Sequence, residues 1–249
     1  MRGFSAILIT LICGLPIQAK EDQMVKISAG FFLPFLTSEK EKPISVKEFL
    51  IDSDSTTNEE FFEFLRNNPV WKKGSAKSSF VDDMYLINFE EERIKYPKYS
   101  VVNISWFAAR AYCNWKGKRL PTTSEWERIA QSELSGESKR WVLKKILDWY
   151  SEPTGTAVSK SFKSYTDQYG VRNLFGNIWE WVEDFNSFSS GSFSDREGAA
   201  RGSFCATGAA TVKDKTDYAS FMRYAYRNSL KAKYSASNLG FRCAKNIES

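Results

Sequence analysis

Few residue types in this chain could carry chemistry, because its 249 residues include four cysteines and no histidine. Without imidazole the chain cannot assemble a nucleophile activated by histidine, a histidine-ligated zinc site or the iron triad built on two histidines. The groups that remain available for chemistry are carboxylates, lysines, tyrosines and thiols. Cys13 lies in an apolar N-terminal stretch, which leaves Cys113, Cys205 and Cys243. In an oxidising compartment these three permit one disulfide and leave one odd thiol.

The N-terminal stretch, residues 1–19, predicts a secretory signal peptide, with 20–249 as the exported domain. One arginine precedes an apolar run from Phe4 to about Pro16, and Ala19 stands just before a charged segment. This run is shorter than the ~20 residues that a membrane-spanning helix requires. We expect a periplasmic or secreted protein without a membrane span.

Length and charge restrict the class of protein further. With 42% hydrophobic residues, the chain has enough apolar material for a large core. The formal charge of +5 comes from 35 Lys and Arg against 30 Asp and Glu, without a long basic block. We therefore expect no nucleic-acid partner.

Capping residues indicate where the first helices begin. Thr57 with Glu60 forms a capping box, Ser105 can cap a second helix, and Thr122 with Glu125 forms another box. The expected elements are two short strands within 24–51 and helices from Thr57 to about 67, Ser105 to Trp115, Ser124 to Gln131 and Lys139 to Tyr150. The sequence therefore predicts an α+β domain with short helices, short strands and a high loop content.

Five passages, in the same order along the chain, resemble the formylglycine-generating enzyme, or sulfatase-modifying factor, family. They are STTNEEF at 55–61, VVNISWFAARAYCNWKGKRLPTTSEWE at 101–127, YGVRNLFGNIWEWVEDF at 169–185, RGSF at 201–204 and SASNLGFRCA at 235–244. Together they bracket about residues 24–246. The family fold is a decorated C-type lectin-like fold, so the resemblance implies a single formylglycine-generating-enzyme-like domain of the α+β class.

The family's enzymes bind copper(I) with two cysteine thiolates and use oxygen to convert a cysteine of a sulfatase chain to formylglycine. Soft thiolates select this ion. The resemblance places the two copper positions at Ala206 and near Ala219, and neither is a cysteine. Cys205 precedes the first position by one residue, but one thiolate cannot make a two-thiolate site. We therefore expect no copper and no oxidase activity of the family's kind.

Two residues of the same passage stay open as catalytic candidates. Ser203 matches a serine of the family's active-site groove, but no base stands next to it, so we do not assign it as a nucleophile. Cys205 has three interpretations: a lone reactive thiol in the groove, a partner in a mixed disulfide, or a buried small hydrophobic residue.

The resemblance also implies structural cross-links. It pairs Cys113 with Cys243 in a disulfide that would tie the central helix to the last strand. Arg227 and Arg242 match structural arginines of the family. We expect each arginine to fix loops by pairing with a carboxylate.

One calcium ion is implied by the loop that begins at Asn173. Its ligands would be the side-chain oxygens of Asn173 and Glu180 and the backbone carbonyls of Gly176 and Ile178, a hard oxygen set that suits Ca²⁺. An alternative stays open, in which Asn and Gly serve the turn geometry and Glu180 pairs with a nearby arginine or lysine.

Several tryptophans could form a carbohydrate-binding platform. They are Trp106, Trp115, Trp126, Trp179 and Trp181. Tryptophans in such motifs more often belong to the core, and we favour that interpretation.

Two functions of different classes follow. The first is an exported binding or accessory module that keeps the fold, lacks the oxidase chemistry and binds a peptide or protein partner of the cell envelope. Its groove would lie between the 200–223 loop and the calcium loop. The alternative is a divergent oxygen- or thiol-dependent oxidoreductase that modifies protein cysteines with Cys205. Only the alternative requires that thiol, so substitution of Cys205 by alanine separates the two.

Overall fold

A computed structural model describes the chain in five stretches, which are 23–33, 43–133, 139–151, 165–186 and 215–247. The predicted signal peptide, Ser203 and Cys205 lie outside these stretches. Among the helices of the described stretches, none combines the length and the apolar character that crossing a membrane requires.

The described strands are short and form three small sheets. They are β1 (Met24–Ile27), β2 (Gly30–Phe32), β3 (Ile44–Val46), β4 (Phe49–Asp52), β5 (Trp179–Glu180), β6 (Leu239–Gly240) and β7 (Ala244–Asn246). β1, β4 and β7 form one antiparallel sheet with β4 in the middle, β2 and β3 form an antiparallel pair, and β5 and β6 form a parallel pair.

The prediction of two strands within 24–51 is wrong, because this segment contains four. β1 pairs with β4 from Met24 opposite Asp52 to Ile27 opposite Phe49, and β2–β3 forms a separate pair between them. The additional breaks fall at residues 28–29 and 47–48, where the sequence has no proline and no turn-forming pair that would have marked them.

The helices of the described chain surround these sheets. They are α1 (Asn58–Asn67), α2 (Phe89–Lys95), α3 (Trp106–Trp115), α4 (Thr123–Glu133), α5 (Lys139–Tyr150) and α6 (Lys215–Ser229), together with a 3-10 turn at Pro69–Trp71. The sequence predicted α1, α3, α4 and α5, whereas it did not predict α2 or α6.

Capping explains the predicted starts. The Thr57 hydroxyl accepts a hydrogen bond from the backbone N–H of Glu60, and the Glu60 carboxylate accepts one from the backbone N–H of Thr57 at 2.8 Å. Ser105 caps α3 by accepting the N–H of Ala108. The Thr122–Glu125 box opens α4 in the same way as the first box. Each box satisfies two backbone donors at a helix end.

An aromatic cluster around Phe61 joins α1 to α3 and to the C-terminal segment. The Phe61 ring lies 5.8 Å from the ring of Tyr112 and 6.1 Å from that of Phe241, measured between centroids. Phe61 and Phe241 are fully buried. The disulfide between Cys113 and Cys243 lies in the same region, and it joins α3 to the residue just before β7 across 130 residues of chain. Helix α3 and the C-terminal strands are thus held together covalently and by packing.

Gly240 of β6 is required by close packing. A Cβ atom at this position would collide with the carbonyl oxygen of Val101. The glycine therefore lets β6 approach the segment before α3, and β5 pairs with β6 at that place.

Candidate functional site

Glu127 of α4 is the centre of a buried ion-pair cluster that joins α4 to α6. Its Oε1 accepts hydrogen bonds from Nε of Arg223 at 2.9 Å and from Nη1 of Arg227 at 2.6 Å, and its Oε2 accepts one from Nη2 of Arg223 at 2.8 Å. The side chains of Glu127 and Arg223 are 1% exposed, and that of Arg227 is 7% exposed. The two arginines stand four residues apart on one face of α6, so both reach one carboxylate.

The charge of Glu127 is maintained by its partners. Burial alone would raise the pKa of this carboxyl, but the charges and hydrogen bonds of Arg223 and Arg227 outweigh that effect and hold the pKa below its usual value. The guanidinium of Arg227 also lies over the ring of Trp126, 4.6 Å from its centroid. Aromatic faces attract cations, so this ring further supports the arginine.

A second buried ion pair joins Glu180 of β5 to Arg242, just after β6. Nε and Nη2 of Arg242 donate to the Glu180 carboxylate at 2.9–3.0 Å, and the indole of Trp126 donates to Oε2 at 2.9 Å. Burial alone would lower the pKa of Arg242, but Glu180 outweighs that effect and raises it. The expectation that Arg227 and Arg242 pair with carboxylates is therefore confirmed.

A cleft lies beside these two ion-pair groups, between α5, α6 and the segment 174–180. As formed by the described residues, it has about 300 Å³ of atom-free space, part of which is open to solvent. The interior space that a bound group could occupy is about 10 Å³, which holds about one water molecule. Its walls include Trp126, Trp149, Trp179, Arg223, Tyr226 and Arg227.

Three stacked aromatic rings form one wall of the cleft. The ring centroids of Trp149 and Trp179 lie 4.7 Å apart, and Trp179 stacks on Tyr226 at 4.3 Å with 25° between the planes. Burial raises the pKa of Tyr226. The hydroxyl of Tyr226 is buried and finds no hydrogen-bond partner among the described residues. The wall thus combines apolar ring faces with one buried polar group.

The loop predicted to bind calcium lies next to this cleft. Asn173 has a φ of 52°, in the left-handed region that asparagine tolerates, and its Oδ1 accepts the N–H of Tyr165 at 3.1 Å. The Glu180 carboxylate already accepts hydrogen bonds from Arg242 and Trp126, which is the alternative that the sequence left open. A calcium ion would have to share these oxygens with Arg242. The calcium site with Asn173, Gly176, Ile178 and Glu180 stays a prediction.

Cys113, Cys243 and Ala219 lie in the described stretches. Cys113 and Cys243 form the disulfide that the resemblance implies, with Cα atoms 5.6 Å apart and both residues fully buried. Ala219, near which the resemblance puts the second copper position, lies on α6 and is also fully buried. The resemblance implies a copper cysteine near this residue, and the chain has no cysteine between Cys205 and Cys243.

The tryptophans divide between the core and the cleft. Trp126 and Trp181 are 4% and 0% exposed, and the indole of Trp181 donates to the carbonyl of Ile104 at 2.7 Å. The core interpretation is confirmed for these two. Trp115 is 36% exposed and packs on Phe64. Trp179 is half-buried and belongs to the aromatic wall.

Four side chains of this region were not singled out from the sequence: Glu127, Arg223, Trp149 and Tyr226. The spacing of Arg223 and Arg227 was the available signal, because residues at i and i+4 lie on the same helix face, where two cations can share one acid. No local signal indicates which acid, since Glu127 lies 96 residues before Arg223.

The chain forms a single α+β domain of the formylglycine-generating-enzyme-like fold. Its features are short helices around small sheets, a disulfide from α3 to the C-terminal strands and buried arginine–carboxylate pairs. The chain belongs to the sulfatase-modifying factor family, because the model of the Sulfatase-modifying factor enzyme 1-like domain matches residues 14–247. The fold class expected from the resemblance is confirmed.

Relatives with different names share this domain. The chain is 28% identical over 221 residues to a serine/threonine-protein kinase pkn1 of Chlamydia pneumoniae, covering 82% of this chain and 34% of that protein. It is 31% identical over 170 residues to the formylglycine-generating enzyme of Streptomyces coelicolor, covering 61% and 54% of the two chains. It is 28% identical over 187 residues to the inactive C-alpha-formylglycine-generating enzyme 2 of Bos taurus, covering 57% and 61%.

The solved structure of Treponema denticola variable protein 1 supports the fold alone. It has a TM-score of 0.52 and 18% identity, with 90% of this chain and 95% of that chain covered. The chain spans about a third of the length of the chlamydial kinase that it matches, and about half of the bacterial enzyme. The activities of those proteins therefore do not transfer with the fold.

Proposed function

We propose that this chain is an exported binding or accessory module that keeps the family fold, lacks the copper-dependent oxidase chemistry and binds a peptide or protein partner of the cell envelope. The observation that carries this proposal is Ala219, which lies buried on α6. The resemblance puts the second copper position near this residue. A methyl group cannot ligate copper(I), whereas the family chemistry requires two thiolates. The chain also has no histidine that could supply a substitute ligand.

The names of the relatives are compatible with a protein that keeps the family fold and lacks the family's enzyme chemistry. The bovine relative is named an inactive formylglycine-generating enzyme and the Streptomyces relative a formylglycine-generating enzyme, at 28% and 31% identity to this chain. Because the chain is about equally identical to both relatives, sequence identity alone does not decide whether it is active. The residues at the copper positions therefore carry the argument.

The partner site in this proposal is the cleft between α6 and the segment 174–180. It lies where α6 meets the predicted calcium loop. The sequence indicated a groove between a 200–223 loop and the calcium loop, but residues 215–223 form part of α6 rather than a loop, and residues 200–214 lie outside the described stretches. The aromatic wall and buried arginines of the cleft give it both apolar and polar contact surfaces.

The alternative function is a thiol- or oxygen-dependent oxidoreductase that uses Cys205. The odd cysteine of the exported chain supports it, because Cys113 and Cys243 are joined in the disulfide. A reactive thiol would need a nearby cation or base that lowers its pKa. Arg201, four residues before Cys205, is the nearest cation in the sequence.

The test compares the wild-type protein with the Cys205→Ala variant on an array of immobilised peptides of random sequence. The proposed function predicts that both proteins retain the same peptides and melt at the same temperature. If the array retains neither protein, or if the substitution abolishes retention, the proposed binding function is wrong. Cysteine modification that disappears with Cys205→Ala would establish the alternative.

A further inference from the structure

A row of four aromatic rings lies where the start of α3 meets the segment between α1 and α2. In order along the row, the rings are those of Trp71, Phe80, Phe107 and Trp106, and neighbouring centroids lie 6.0, 4.9 and 5.4 Å apart. Phe80 is 37% exposed, and the other three residues are half-buried. None of the four lines the cleft beside α6. We call this surface the aromatic row.

Aliphatic residues add to the apolar character of the same segment. Three of them are exposed, namely Val70 at 66%, Met84 at 45% and Ile87 at 41%. The hydroxyl of Tyr85 donates to the carbonyl of Trp71 at 2.9 Å, so the two ends of the segment lie side by side. Exposed apolar residues that cluster in this way indicate an interaction surface, and aromatic residues and methionine are enriched at protein interfaces.

Two lysine-bearing segments border the aromatic row. The lysines are Lys72, Lys73 and Lys77 in the segment after α1, and Lys231 and Lys233 in the turn after α6. The backbone N–H of Trp106 donates to the carbonyl of Ala232 at 2.9 Å, which places that turn beside the row. All five lysines are exposed, and none of them forms an ion pair with another residue of the described stretches. Their charges therefore face solvent.

Most of the acids near the aromatic row already have partners. The four acids are Asp82, Asp83, Glu183 and Asp184. Asp82 accepts two backbone N–H groups, and Asp184 accepts two hydrogen bonds from Thr123. Glu183 pairs with Arg110 at 2.9 Å. The five lysines and Arg110 outnumber these acids, so the surface around the row carries an excess of positive charge.

We propose that the aromatic row is a second docking surface, which binds an acidic segment of the partner protein through that segment's apolar side chains. The inference rests on the proposed binding function and names the chemistry of a further contact. The rings and the exposed aliphatic residues would contact the apolar side chains, and the lysines would attract the carboxylates beside them. Charge complementarity of this kind orients a partner and speeds its association.

The geometry of the rings favours a peptide over a nucleic acid or a polysaccharide. Neighbouring rings meet at 33°, 47° and 79°, so they do not offer parallel faces to successive bases or sugars. Apolar side chains of a peptide can pack on tilted rings, because dispersion and burial of apolar area do not require stacked planes.

The test is a calorimetric titration of the full chain with three blocked peptides. The reference is Ac-Glu-Glu-Phe-Glu-Glu-Leu-Glu-Glu-NH2. One counterpart replaces Phe and Leu by Ser, and the other replaces every Glu by Gln. We expect each counterpart to bind about tenfold more weakly than the reference, because each lacks one of the two required contacts. High salt should weaken binding of the reference peptide, since it screens the exposed lysines.

A variant of the aromatic row locates the apolar contact. Phe80→Ser removes the most exposed ring of the row and should weaken binding of the reference peptide severalfold. The matched control is Phe31→Ser, which removes a phenylalanine that is 67% exposed on β2 and should leave the affinity unchanged. Melting curves of both variants verify the fold.

A pair of double variants locates the charge contact. Lys72→Gln/Lys77→Gln should weaken binding severalfold, whereas Lys47→Gln/Lys245→Gln removes the same charge from exposed positions beside β3 and on β7 and should not. Equal effects of the two double variants would show that only the net charge of the protein matters, and the inference would then be wrong.

Other results would also overturn the inference. They are no binding of the reference peptide, equal affinity for all three peptides, unchanged affinity in Phe80→Ser, and tighter binding of oligothymidylate or dextran sulfate than of the reference peptide. If the random peptide array retains the wild type and the Phe80→Ser variant equally, and the retained peptides are not enriched in acids, the proposed binding function stands and this inference alone falls.

Discussion

Glu127 of α4 holds Arg223 of α6 through two hydrogen bonds of 2.9 and 2.8 Å, with both side chains 1% exposed. This contact fixes α6 against α4 and thereby forms one side of the cleft. A buried charge pair is costly to break, because removal of one partner leaves the other without compensation.

Substitution of Glu127 by glutamine should destabilise the protein strongly. The change keeps the shape but leaves Arg223 and Arg227 buried without a carboxylate, and loss of one partner of a buried pair costs about 3–5 kcal/mol. Urea unfolding measures the free energy directly. The matched control is Glu63→Gln on the exposed face of α1, which should change the free energy by less than about 0.5 kcal/mol. Similar losses in both variants would contradict the role assigned to the cluster.

The contribution of Glu127 should depend on pH in a defined direction. Its folded-state pKa lies below the usual carboxyl value of 4.5, so the ionised form stabilises the fold above that value. As the pH falls below 4.5 and through the lowered pKa, the proton binds and the contribution is lost. The difference in unfolding free energy between wild type and Glu127→Gln should therefore shrink in acid. A difference that stays constant from neutral pH into this acid range would refute the assignment.

Removal of the Cys113–Cys243 disulfide should lower stability by restoring freedom to the unfolded chain. The bridge closes a loop of 130 residues of sequence separation, for which chain entropy alone gives about 4–5 kcal/mol. We expect a large decrease in unfolding free energy for the double variant Cys113→Ala/Cys243→Ala. Reduction should destabilise the wild type and leave the double variant unaffected. Equal stability of oxidised wild type and double variant would show that the bridge contributes nothing.

Calcium binding by the 173–180 loop should raise the melting temperature in excess Ca²⁺ relative to EDTA, because an ion bound only to the native state stabilises it. Asn173→Gly keeps the positive φ but removes a ligand oxygen, so it should abolish the rise. Asn103→Gly, at a positive φ outside this loop, should retain it. If the wild type melts at the same temperature in both solutions, the calcium prediction is wrong, and the role of Glu180 is to pair with Arg242.

The sequence predicted those helices whose starts depend on local contacts. The caps at Thr57 and Ser105 involve residues three positions apart, and both are confirmed. Helix α6 was not predicted, because two of its buried positions are the arginines 223 and 227 and therefore do not form an apolar stripe. Their charges are compensated in the interior by Glu127, which lies about 100 residues earlier in the chain.

The cleft could not be predicted from the sequence for a related reason. Trp149, Trp179 and Tyr226 come from α5, β5 and α6, and only the fold brings their rings together. The resemblance correctly indicated that Arg227 and Arg242 pair with carboxylates, but it did not indicate the partner acids. Long-range ion pairs and ring stacks of this kind leave no local pattern.

The central claim is that the family fold is retained here without the family's copper chemistry. The most direct measurement supplies residues 20–249 of the chain with copper(I), oxygen and a sulfatase-type cysteine peptide, and follows the peptide mass together with bound copper and free thiol. We predict an unchanged peptide mass, no stoichiometric copper and one free thiol per chain, from Cys205. Conversion of the peptide cysteine, or tight binding of one copper ion per chain, would contradict the claim.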